Sequence, residues 1–106
     1  MRDAGALRIE VSDRPAPARM TLHGEFDIRS ADAAARVLEE LLGRGPEAVV
    51  IDLSGLVFID STGVKFLVEG LEKARARGIG LALVDGGEPV RRVLKVSGVK
   101  ALFEDP

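Results

Sequence analysis

Residues Phe58 to Gly63 read FIDSTG: two β-favouring apolar residues, then an acid, two hydroxyls and a glycine. The chemistry open to this run is narrow. A hydroxyl at a helix start can accept a backbone N–H as an N-cap, and an aspartate beside it complements the positive end of the helix. The same hydroxyl can instead receive a phosphoryl group. A catalytic serine would need a base, and the one histidine, His23, falls at the end of a predicted strand. The G-x-S-x-G elbow is absent. Asp27, Asp52 and Asp60 lack any recognised ligand spacing, so no metal is expected. DGGEP, from Asp85 to Pro89, has neither the lysine of a phosphate loop nor the G-x-G-x-x-G spacing, and reads as a strand-to-helix turn. No cofactor is implied, and an enzyme is disfavoured.

The elements that must position this run follow from periodicity. Ala6 to Val11 alternates apolar and polar residues, and Ala18 to His23 carries Met20 and Leu22 on one face; both predict strands, paired antiparallel. Gly24 to Arg29 reads as a polar crossing. Ser30 is placed to cap a helix whose apolar stripe is Ala34, Val37, Leu38, Leu41 and Leu42, ended near Gly43 or Gly45. Ala48 to Leu53 is a nearly continuous apolar run, as in a strand covered on both faces, and Ser54 to Val57 reads as a short connection. A second helix is predicted from Ser61 to Ala76, with Val64, Leu67, Val68, Leu71 and Ala74 inward. Ile79 to Asp85 reads as a strand. A third helix begins near Pro89, buries Val90, Val93 and Leu94, and ends at Gly98. Val99 to Phe103 reads as a final strand, and the last three residues are expected to fray.

This order predicts one α/β domain over residues 1–106. Its sheet is mixed, mostly parallel and four- to five-stranded, with an N-terminal antiparallel hairpin strand and three to four helices. Composition agrees: 106 residues, 46% apolar, suffice for a core. A net charge of −2 disfavours general nucleic-acid or anionic-membrane binding. With no cysteine there are no disulfides and no thiolate sites. No signal-peptide core and no membrane-length apolar run is present, which gives a cytoplasmic protein as the expectation.

Three stretches, TLHGEFDI (Thr21–Ile28), VVIDLSGLVFIDSTGV (Val49–Val64) and GIGLALVDGGEPVRRVLKVSGV (Gly78–Val99), resemble the STAS domain. More narrowly, they resemble the stand-alone anti-sigma factor antagonists of bacteria, over about Leu7 to Phe103. The resemblance implies a partner-switching cycle. The unphosphorylated antagonist binds an anti-sigma factor that is also a serine kinase, and a sigma factor is released. Phosphorylation of the motif serine weakens the complex, and a serine phosphatase resets it. The matching phosphoacceptor is Ser61, with Thr62 a minor alternative where many relatives carry a second serine. Phe26 stands where leucine is more usual. Two other readings remain: a scaffold subunit of a stressosome-like or lipid-transport assembly, and a small nucleotide-binding enzyme.

The partner surface implied is Asp27, Asp60, Ser61, Thr62, Gly63 and Phe66. Gly63 either admits a close approach by the partner or relieves crowding within the helix. At about 100° per residue, Phe66 falls nearly opposite the Val64–Val68–Leu71 stripe, either as a solitary exposed aromatic or as an interface anchor. Phe58 and Ile59 are assigned to the interior beneath the motif. Arg91, Arg92 and Lys95 form a solvated helix face.

Overall fold

A computed structural model describes residues 2–104. The elements are β1 (Arg2–Ala4), β2 (Leu7–Ser12), β3 (Ala18–Phe26), α1 (Ala31–Gly43), β4 (Ala48–Ile59), α2 (Ser61–Ala76), β5 (Gly80–Val84), α3 (Glu88–Ser97) and α4 (Val99–Glu104). The five strands lie side by side in chain order. β1–β2 and β2–β3 are antiparallel, whereas β3–β4 and β4–β5 are parallel. The α/β architecture and the opening hairpin agree with the sequence reading; β1 is an added edge strand.

One face of the sheet supplies the core. Leu7 and Ile9 of β2, Met20 and Leu22 of β3, and Val49, Ile51 and Leu53 of β4 are buried and separated by period-two partners that are not. The opposite face carries cross-strand ion pairs, among them Arg19–Asp52 at 2.9 Å. AVVIDL is therefore covered on one face only, not on both. Its half-buried Val50 and Asp52 gain from neighbours in the sheet instead of a second helical layer.

Three boundaries differ from expectation, for identifiable reasons. β3 continues through Gly24 and Glu25 to Phe26, which is fully buried. β4 runs on through Ser54–Val57. Against β3 it gains one residue between Asp52 and Gly55 and another between Leu56 and Phe58, and each extra residue turns the strand over. Its buried positions consequently fall at Leu53, Leu56 and Ile59, every third residue, which hides the strand from a period-two reading. His23 lies within β3 rather than at its end, opposite Gly55, where an added Cβ would come 2.3 Å from its Nδ1. Finally, Val99–Glu104 is a helix, not a strand; a run this short has no decisive period. Val99 is buried and the Leu102 carbonyl accepts from Arg75 Nη2 at 3.0 Å. Of the three terminal residues expected to fray, Glu104 is the last residue of α4, and Asp105 and Pro106 lie outside the described residues.

Candidate functional site

The two bulges bring β3 and β4 to a common end. Phe26 pairs with Ile59, and the Asp60 N–H donates to the Phe26 carbonyl at 3.3 Å. Asp27 and Asp60 are thus the first residues past two neighbouring strands. This is the carboxyl end of the parallel pair, where open α/β sheets commonly present their sites.

Asp60, not Ser61, caps α2. Its backbone is extended and its Oδ1 accepts from the N–H of Thr62 at 2.9 Å and of Gly63 at 3.4 Å. The Thr62 hydroxyl donates to the same oxygen. Ser61 is the first helical residue, and its side chain is exposed. Its hydroxyl makes no hydrogen bond to any of the described residues. An acid one position earlier outcompetes a serine for the cap because it brings full charge to the positive end of the helix.

Asp27 is held from the other side. Its Oδ1 accepts from the Arg29 N–H at 2.9 Å and its Oδ2 from Arg29 Nη2 at 2.7 Å. These bonds from Arg29 hold its carboxyl below the usual carboxylate range. Ser30 does not cap α1 through its side chain; it is fully buried and its hydroxyl donates to the Ala4 carbonyl at 3.0 Å. That bond ties the loop carrying Asp27 to β1.

Gly63 and Phe66 face inward. A Cβ on Gly63 would stand 2.4 Å from Ile59 Cγ1 and 3.2 Å from Phe26 Cδ1, so the glycine serves close contact inside the protein. Phe66 is only 5% exposed, and its ring lies 5.2 Å from that of Phe26, tilted by 34°. The expected outward Phe66 is corrected: α2 packs against both the sheet and α1, so two of its faces are covered where a one-stripe wheel allows one. Leu38 Cδ2 of α1 approaches within 2.7 Å of where a Gly70 Cβ would lie. Conversely, Phe58 is 45% exposed instead of lying beneath the motif, because the second bulge turns it outward, while Ile59 is buried as expected.

Ser61 lies on the wall of a cleft of about 460 Å³ between the start of α2 and α3, with Asp60, Val64, Arg92 and Val96. On the other side of α2, Thr62, Lys65 and Ile28 line a separate groove against α1. Val96, Ile28 and Val57 are 82%, 76% and 67% exposed. Sequence reasoning did not single out these apolar residues, although Val96 at an outward helical position was a signal for them; Arg92, read as part of a solvated helix face, is exposed as expected. Among the described residues no group of His, Asp and Glu is arranged to hold a metal ion, and no helix is long and apolar enough to cross a membrane.

The chain is similar to known proteins in sequence and fold. The STAS domain family model matches residues 8–105. The anti-sigma-F factor antagonist RsfB of Mycobacterium tuberculosis is 30% identical over 98 residues, covering 92% of this chain and 80% of that protein. An anti-sigma F factor antagonist of Paenibacillus polymyxa is 29% identical over 94 residues, covering 88% and 80%. The crystal structure of an anti-sigma factor antagonist from Mycobacterium paratuberculosis matches with a TM-score of 0.79 at 28% identity, over 92% of this chain and 82% of that one.

Proposed function

The chain belongs to the STAS domain family, and on that premise we propose that it is an anti-sigma factor antagonist switched by phosphorylation of Ser61. It is a binding protein, not an enzyme. The unphosphorylated form binds an anti-sigma factor that doubles as a serine kinase, and so frees a sigma factor. The kinase transfers the γ-phosphoryl group of ATP. Ser61 Oγ bonds to phosphorus, the bond to ADP breaks, and the hydroxyl proton leaves to a base on the kinase. A serine phosphatase hydrolyses the ester and restores the hydroxyl.

One observation carries this reading: of the three polar side chains in the motif, only that of Ser61 is left over. Asp60 is spent on the cap and Thr62 on Asp60, while Ser61 is exposed with its oxygen unengaged among the described residues. That order also ranks Thr62 behind Ser61 as acceptor.

Phosphorylation adds about −1.5 to −2 charges at one point of the surface. At separations of about 5–7 Å in a largely solvated site, each like-charge pair costs on the order of 1–3 kcal/mol before screening. Asp60 supplies that repulsion, and Asp27 supplies less because Arg29 already neutralises it. Closing an interface over the phosphate adds desolvation. A loss of about 3 kcal/mol is already more than 100-fold in affinity. The test is incubation with ATP and the cognate anti-sigma kinase, read by intact mass and peptide mapping. One phosphate on Ser61, and none on Ser61→Ala, is expected; modification elsewhere, or none, sinks the reading.

A further inference from the structure

We propose that Arg92 of α3 is the internal partner of the phosphoryl group on Ser61, closing the cleft between α2 and α3 once the serine is modified. This deepens the switch above and rests on Ser61 being the acceptor.

Two features of the molecule carry it. First, the helix-start amides that follow Ser61 are already engaged, and of the first turn only the Ser61 N–H is without a partner among the described residues. The N–H groups of Thr62 and Gly63 point to the Asp60 carboxylate, and that of Val64 to the Asp60 carbonyl at 3.1 Å. A phosphate on the first helical residue would have to displace Asp60 to reach those amides, so the ordinary anion site of a helix start is reduced to the Ser61 N–H. It also sits beside the Asp60 carboxylate, so it needs a cation from another element.

Second, the cations around the site are distributed so that one is available on the correct side. Arg29 is committed to Asp27, Arg91 is 3.7 Å from Glu88, and Lys100 is 2.8 Å from Asp85. Arg92 is exposed, has no ion pair or hydrogen bond among the described residues, and shares the cleft with Ser61. Its guanidinium presents a planar fork matched to phosphate oxygens. Lys65, one turn along α2 from Ser61, borders the other groove with Thr62 and Ile28. The charged groups lining the Ser61 cleft are Asp60 and Arg92; one repels the phosphate and the other receives it. The rest of the wall is chiefly apolar, with Val64 and Val96. Drawing Arg92 across it replaces an apolar cleft by an ion pair, so the modification alters shape as well as charge.

The experiment uses full-length protein carrying phosphoserine at position 61, installed by genetic encoding so that no kinase is required. Phosphorus NMR follows the second ionisation of the phosphoserine, which lies at about pH 6 when unperturbed. Contact with Arg92 favours the dianion, so Arg92→Gln should raise this midpoint by about half a unit relative to the parent protein, the size of a modest surface ion pair. Lys65→Gln should leave it in place. An unchanged midpoint in Arg92→Gln overturns the proposal, and so does an equal or larger shift in Lys65→Gln. Because the phosphate is installed directly, failure of the kinase assay and failure of this assay are separate results.

Discussion

At the scale of single residues, the division of labour within Asp60-Ser61-Thr62 has a measurable consequence. Asp60 carries the helix cap, so Asp60→Ala should cost about 0.5–2 kcal/mol of stability, as lost N-caps do. Ser61→Ala removes a hydroxyl with no partner among the described residues and should stay within about 0.5 kcal/mol of the parent. Urea unfolding of the two variants checks this; equal losses would put Ser61 back in the cap. The motif itself was legible from sequence because an acid, two hydroxyls and a glycine between a strand and a helix permit few roles. Which oxygen takes the cap was not legible. Ser61 and Asp60 are both good cap residues, and a one-residue shift of the helix start exchanges their roles.

Between elements, what decides the site is how closely α2 approaches β4. Gly63 lies against Ile59 and Phe26 with no room for a methyl group. Gly63→Ala should therefore destabilise the protein by about 1–3 kcal/mol through overpacking, despite alanine's better helix propensity. Gly43, at the end of α1, meets nothing within 4 Å at its Cβ position, and Gly43→Ala there should gain about 0.4–1 kcal/mol. Thermal unfolding of the pair should give opposite signs, and matching signs would refute the close contact. The same approach explains the sequence-stripe error at Phe66. The stripes of α1 and α3 follow from periodicity because each helix has one dominant buried side, Ala34 to Leu42 in α1 and Val90 with Leu94 in α3. α2 packs against both the sheet and α1, so its buried set also takes in Gly63, Phe66 and Gly70. A helical wheel cannot count a helix's neighbours. Nor can strand alternation survive two bulges, which is why the second half of β4 read as a connection.

Across the whole molecule, the sheet's open face and the carboxyl end of its parallel strands have different characters. The open face is studded with ion pairs such as Arg19–Asp52, whereas Ile28, Val57, Phe58 and Val96 are left exposed in segments that lead into or face the Ser61 region. Exposed apolar side chains become informative when they gather near a site. Burying them against a partner would supply affinity that, on the function proposed above, a phosphate on Ser61 would oppose. Val96, 82% exposed on the cleft wall, isolates this effect because it contributes little to the core. Val96→Asp should weaken binding of the unphosphorylated protein to its anti-sigma factor by at least about tenfold, the equivalent of about 1.4 kcal/mol, with the melting temperature nearly unchanged. Val11 is also partly exposed but lies near the opposite end of the sheet, beside Met20 where β3 begins, and Val11→Asp should leave affinity as it is. Isothermal titration with both variants separates a local apolar footprint from a general effect of negative charge. If the two lose affinity equally, the loss comes from added negative charge in general and not from an apolar footprint around Ser61.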